Sequence, residues 1–145
     1  MEFKLNEDQK MIHDLAQQFA QDVLQPRIDD IEKGEMVQVS NGESHPQMPR
    51  DIHEQLAECG FIGISFPEEY NGMGMGHVEQ AIVIKELSRV SPSVGKCLDV
   101  YILGLEALDL YANHEQKMKY LAPCCSGEQT VSFAFTEPET GSDPK

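Results

Sequence analysis

An all-α domain of about five or six helices, followed by one short β-strand, is what the 145-residue sequence predicts. Three observations carry this expectation. Apolar residues recur three and four apart in successive stretches, residues that cap or break helices stand at the ends of those stretches, and after Gly127 the apolar period changes to two. A folded chain of this length buries about two thirds of the surface it exposes when unfolded, so a real core is available. With 40% apolar and 25% charged residues the composition is that of an ordinary globular domain, which argues against disorder as the dominant state.

The first helix begins at Asn6, whose side chain is placed to cap it, with Gln9 at the third position as a capping box requires. Ile12, Leu15, Ala16, Phe19, Ala20 and Val23 then form one apolar stripe. The helix should end by Gln25, because Pro26 has no amide hydrogen and disfavours helical geometry in the residue before it; Ile28 and Ile31 suggest a short continuation after a kink. From Gly34 to Met48 periodicity is lost and Asn41, Gly42 and Pro46 punctuate the chain, which reads as an exposed loop. A second helix starts near Pro49, suited to a first helical position, and buries Ile52, Leu56 and Cys59 before Gly60 ends it. The apolar connector Phe61 to Phe66 leads into the turn-rich stretch Pro67 to Gly76.

Val78 to Val90 is apolar on most sides, through Ala81, Ile82, Val83, Ile84 and Leu87, as a central helix packed by several neighbours would be. Ser91-Pro92-Ser93 breaks it. The next helix carries Val94, Leu98, Tyr101, Ile102, Leu105, Leu108 and Ala112, with Gly95 and Gly104 allowing close approach. Asn113, again with a Gln three residues on, caps a short helix that runs to Leu121 and stops at Pro123. Val131, Phe133 and Phe135 alternate with Ser132 and Ala134 as in a strand, closed by a turn from Pro138 to Asp143. One strand cannot satisfy its backbone groups alone, so the expected division is a helical domain over 1–126 and the start of a truncated β domain over 127–145.

Acidic residues outnumber basic ones 25 to 11, a formal charge of -14, and no Lys or Arg run is available to neutralise a phosphate backbone, so nucleic acid is a poor partner. The opening residues lack a basic segment followed by an apolar one, and no apolar run approaches bilayer length. A soluble, cytoplasmic protein with no membrane partner is expected. Cys59, Cys97, Cys124 and Cys125 contain no Cys-x-x-Cys pair, which suggests buried, reduced thiols.

Gly72-Met73-Gly74-Met75-Gly76 meets neither the dinucleotide nor the P-loop spacing, so a structural turn is expected. His53-Glu54 and His114-Glu115 have Ala57 and Met118 four residues after each His, which rules out a zinc-protease pair. Asp29, Asp30 and Glu32 are interrupted by Ile31 and read as a solvated face; no metal site is expected. Tyr101, Leu105 and Leu108 fit either a ligand pocket or, more often for such a stripe, core.

The string Phe133-Ala134-Phe135-Thr136-Glu137-Pro138-Glu139-Thr140-Gly141-Ser142-Asp143 resembles the signature of the flavin-dependent acyl-CoA dehydrogenases, a short strand followed by Thr-Glu-Pro and Gly-Ser-Asp. Pro67-Glu68-Glu69-Tyr70-Asn71-Gly72-Met73-Gly74 is similar to the family's Pro-Glu-Glu-Tyr-Gly-Gly-x-Gly turn, and the order of Glu86-Leu87-Ser88-Arg89, Leu103-Gly104 and His114-Glu115-Gln116-Lys117 matches as well. The resemblance runs from Leu5 onward and implies the N-terminal helical domain of a three-domain enzyme that dehydrogenates an acyl-CoA thioester with FAD. It implies that Phe133, Phe135 and Thr136 contact the flavin, with the Thr136 hydroxyl and amide as donors to the ring. It further implies that Asp99, Val100, Leu103 and Ser142 contact substrate, Ser142 at the thioester end and the others along the acyl cavity. Electron-transferring flavoprotein as acceptor and a homotetramer follow from the same resemblance.

The family's glutamate base lies in its C-terminal bundle, so no catalytic residue is expected in this chain, which should be inactive alone. Departures are visible: Thr140 stands where Ala or Gly is usual, Phe133 and Phe135 are bulky, and Asp99 in an apolar tunnel is costly unless exposed or hydrogen-bonded. Two rival readings are a stand-alone helical binding or regulatory module and a fragment of an acyl-CoA oxidase-like relative.

Overall fold

The computed structural model describes residues 4–33, 35–38, 44–134 and 136–141. Helix α1 (Glu7–Phe19) opens with the expected reciprocal cap: Gln9 N donates to Asn6 Oδ1 at 2.8 Å and Asn6 N donates to Gln9 Oε1 at 3.1 Å. It does not stop at Pro26. A π-helical turn (Ala20–Leu24) and a 3-10 turn (Gln25–Arg27) carry the chain into α2 (Ile28–Lys33), because altered hydrogen-bond spacing takes up the proline that a regular α-helix would reject. The wider turn also moves the buried position to Leu24, leaving Val23 half-buried and Leu15 exposed.

Between Gly34 and Met48 the loop expectation is corrected. Strand β1 (Glu35–Gln38) pairs antiparallel with β2 (Ser44–Gln47), Met36 opposite Pro46, flanking residues 39–43, which lie outside the described residues. Glu35-Met36-Val37-Gln38 and Ser44-His45-Pro46-Gln47 carry no apolar period of two, so the sequence pattern gave no sign of this ladder.

Helix α3 (Arg50–Glu58) begins one residue later than expected, with Pro49 as the capping residue, and buries Ile52, His53 and Leu56. Phe61, Ile62, Ile64 and Phe66 of the connector are all within the core, and Phe19 meets Phe61 edge to face at 5.8 Å. Each such fully buried side chain contributes about 1.5–3 kcal/mol over leaving it exposed. The glycine-rich stretch is a structural turn as expected. Its amides are already taken: Met73 N donates to Gly63 O, Gly74 N to Phe66 O and Met75 N to Ile64 O, at 2.8–3.0 Å.

Helix α4 (His77–Val90) lies between α1 and α5 (Pro92–Tyr111), burying Ile82, Val83, Glu86 and Leu87 and leaving Ala81 in solvent. Ser91 separates α4 from α5. Its hydroxyl accepts from Val94 N at 3.2 Å while donating to Glu32 Oε1 of α2 at 2.6 Å, and Ser93 donates to Glu32 Oε2 at 2.7 Å.

The short helix α6 (His114–Gln116) has the expected Asn113 cap, but the chain does not stop at Pro123. A π-helical turn (Lys117–Leu121) precedes α7 (Ala122–Cys125), and Ala122 N pairs with Lys117 O, so that Pro123, with no amide to satisfy, sits in the first turn of α7. Cys124 and Cys125 are buried thiols; Cys59 is half-buried and Cys97 exposed, which corrects the expectation that all four are buried. No described helix is long and apolar enough to cross a membrane.

Candidate functional site

The tail after α7 lies along α5. Tyr101 donates its hydroxyl to Gln129 O at 2.6 Å, and a Cβ placed at Gly104 would meet the Val131 methyls at 3.4 Å and Phe133 Cβ at 3.7 Å. Residues 131–134 form no ladder among the described residues, which corrects the strand expected over them, and the first bridge after them joins Glu137 to Thr140.

An open groove of about 720 Å³ runs between α3, α5 and this tail. Helix α3 supplies Arg50 and His53, α5 supplies Lys96, Cys97, Val100 and Tyr101, and residues 130–133 form the remaining wall with Met48. Of the expected contact residues the groove brings together Val100 and Phe133, which are 42% and 41% exposed. Leu103 continues the same exposed α5 face one turn on, outside the groove's lining. Asp99 is exposed on α5, which removes the burial cost raised for it above, and Thr136 is exposed on the tail. Phe135 and Ser142 lie outside the described residues.

Three groove residues escaped the sequence reading. His53 was tested only as half of a zinc pair, yet it is buried at 5% exposure, its ring 5.1 Å from that of Tyr101, and its Nε2 has no hydrogen-bond partner among the described residues. Burial, and then the nearby Arg50 charge, hold its pKa below 6.5, so the imidazole is neutral at pH 7. Lys96 makes no ion pair among the described residues, whereas Arg50 Nε donates to Glu54 Oε1 at 2.9 Å. Among the described residues no carboxylate lines the groove. For Lys96 the sequence signal is helical register, since Lys96 and Val100 stand four apart on one face of α5.

Of the three residues weighed as pocket or core, Tyr101 is half-buried and lines the groove, Leu105 is core and Leu108 is half-buried. Burial raises the Tyr101 phenol well above its ordinary value, so it acts as a hydrogen-bond donor and not as a base. Cys97 is exposed as a residue, but its thiol is partly desolvated at the groove wall, which raises its pKa against the lowering effect of Lys96 and makes it a poor nucleophile. Among the described residues no group of His, Cys, Asp or Glu is placed to hold a metal ion. Thr136 and Phe133 are both exposed on the tail, Phe133 at 41%.

Comparison with known proteins fits this geometry. The profile of the acyl-CoA dehydrogenase N-terminal domain matches residues 6–128. Acryloyl-CoA reductase (NADH) of Anaerotignum propionicum is 31% identical over 99% of this chain and 34% of its own length. An acyl-CoA dehydrogenase of Bacillus subtilis is likewise 31% identical, over 96% of this chain and 34% of its own length. A chain in the solved structure of the electron transferring flavoprotein of Acidaminococcus fermentans superposes with a TM-score of 0.85 at 34% identity, over 99% of this chain and 35% of that one. The chain therefore spans about a third of the length of the curated relatives it matches. With that profile covering residues 6–128, the chain belongs to the acyl-CoA dehydrogenase family through its N-terminal domain.

Proposed function

We propose that the chain is the N-terminal part of an FAD-dependent acyl-CoA dehydrogenase, with residues 1–126 as its helical domain and 127–145 as the start of the middle β domain. The observation that carries this is the apolar α5 face, Val100 and Leu103, left open beside Phe133 in a member of this family. In such an enzyme the flavin, when bound, accepts the hydride that leaves the β carbon of the acyl thioester.

The residues of this chain bind and orient. Val100 and Leu103 give the acyl chain an apolar wall that excludes water, with Asp99 at its exposed margin. Phe133 and Phe135 hold the edge of the flavin ring through their backbone, which leaves the Phe133 side chain to the acyl wall, Thr136 donates a hydrogen bond where the reduced ring gathers negative charge, and Ser142 stands at the thioester end. Removal of the α proton falls to a group outside this chain. Electron-transferring flavoprotein as the acceptor is supported by the Acidaminococcus fermentans likeness. A tetrameric assembly belongs to the same proposal through the family resemblance alone. Cytoplasmic placement is supported by the four free cysteines. The relative named as a reductase favours a second reading in which the same site runs toward reduction of an enoyl thioester.

Two measurements test the proposal. The purified chain should be colourless and give no saturable heat with FAD, since one wall of donors does not offset the roughly 4–15 kcal/mol cost of association. The protein extended through its β and C-terminal domains should bind FAD and reduce an artificial acceptor with an acyl-CoA. There, Thr136→Val should lower the flavin potential; an unchanged potential with flavin retained defeats the role of Thr136. A yellow chain with flavin bound one to one would overturn the division of labour between the domains.

A further inference from the structure

The groove between α3, α5 and the tail has two chemically distinct parts. One is apolar, formed by Val100 and Phe133; the other carries Lys96, Arg50 and the unpartnered His53 Nε2. A buried polar atom without a partner costs about 1–3 kcal/mol, so an orphaned imidazole nitrogen in a groove wall is a place where a ligand atom gains more than it would in water. The charge pattern narrows the ligand. The chain as a whole has 25 acidic residues to 11 basic, yet among the described residues the groove's lining holds two cations, Lys96 and Arg50, and no carboxylate. Arg50 is engaged with Glu54, which leaves Lys96 as the cation without an ion partner among the described residues. A ligand that satisfies both parts has an apolar body and a terminal anionic group, and a carboxylate accepts from both an ammonium and a neutral imidazole N–H.

We propose that this groove is a subsite for an acyl chain that ends in a carboxylate, the chain lying against Val100 and Phe133 and the carboxylate held by Lys96 and by His53 Nε2. The assignment rests on the acyl-site reading of the preceding subsection and adds the class of acyl group. Neutral His53 serves here as a hydrogen-bond donor through the tautomer that carries its proton on Nε2. Arg50 adds a second, longer-range positive charge at the mouth.

The test uses the chain itself, labelled with nitrogen-15, and follows the His53 imidazole Nε2 shift during titration with octanoate, octan-1-ol and acetate. Octanoate should give a saturable shift, octan-1-ol and acetate should each bind at least about tenfold more weakly, and Lys96→Met should weaken octanoate about tenfold. Lys96 is exposed, so this variant should keep the fold; Arg50→Gln should weaken binding less than Lys96→Met. Equal response to octan-1-ol overturns the anion half of the proposal, equal response to acetate overturns the acyl half, and no saturable response overturns it entirely. The flavin and turnover measurements above are made on the extended protein. A silent groove beside an active flavoenzyme defeats only this proposal, while a responsive groove in a protein that neither binds FAD nor turns over acyl-CoA defeats the dehydrogenase reading.

Discussion

Gly127 carries two constraints at once. Its φ of +79° lies in the left-handed region, where it ends α7 with its amide donating to Cys124 O, and a Cβ there would stand 2.4 Å from Ala57 Cβ of α3. Gly127→Ala should therefore cost about 2–4 kcal/mol, the sum of the backbone penalty and a forced separation of α7 from α3. Urea unfolding measures it, and a loss below about 1 kcal/mol would contradict the packing described. Glu86 is the other residue whose surroundings decide its chemistry. Only 2% exposed, it has Lys85 Nζ 2.8 Å from Oε1, His13 Nε2 at 3.4 Å from the same oxygen and an Arg89 guanidinium nitrogen 3.3 Å from Oε2. The Lys85 contact is an ion pair off the hydrogen-bond direction, which leaves Oε1 without a directed bond among the described residues. Burial alone pushes the carboxyl upward, but Lys85, His13 and Arg89 together outweigh it and the pKa falls below 4.5. A depressed folded value means this stabilisation is complete above the unfolded pKa near 4.5 and is lost as the pH falls through the folded one. Glu86→Gln should flatten the acid limb of the stability curve below pH 4.5, and an unchanged limb counts against this account.

Helix ends show where local sequence is sufficient. Asn6 with Gln9 and Asn113 with Gln116 form the reciprocal caps that their spacing announces, because a capping box is settled within four residues. The joint at Ser91 is different: Val94 N, the local partner, follows from sequence, while Glu32 arrives from 59 residues away and belongs to the tertiary fold. Ser91→Ala removes the cap and one of the two hydroxyls on Glu32, and should cost about 1–2 kcal/mol; Ser93→Ala, which leaves the cap intact, should cost less. Equal thermal shifts for the two variants would rule out a separate capping contribution. Pro26 and Pro123 were legible as interruptions but not as the π and 3-10 turns that absorb them, since those depend on which carbonyls the neighbouring backbone leaves free. Helix α5 contains both outcomes. Val94, Leu98, Ile102 and Leu105 are core as their period requires, and Val100, Leu103, Leu110 and Tyr111 form an exposed apolar face that the same period cannot distinguish from a buried one.

Across the whole molecule, a charge of -14 sets up repulsion that few of the ion pairs relieve, because most of those, such as Lys10 with Glu7 and Arg50 with Glu54, are exposed. Raising NaCl from about 0.05 M to 0.5 M shortens the screening length from roughly 14 Å to 4 Å and should raise the Tm by a few degrees; a fall would mean that attractive pairs dominate. The sequence by itself determined the helical class, the order and caps of the helices, the glycine-rich segment as a turn and the family, since these rest on periods, caps and motifs confined to short stretches. It also singled out Val100 and Phe133, by motif. Only the tertiary structure set those two in one groove with His53 and Lys96, paired β1 with β2, kept Cys97 and Asp99 in solvent, and buried Glu86 among three basic side chains. The physical reason is range: a helix or cap is decided by neighbours within a turn or two, whereas burial, an orphaned polar atom and a groove are properties of surfaces that residues 40 or more apart must first bring together.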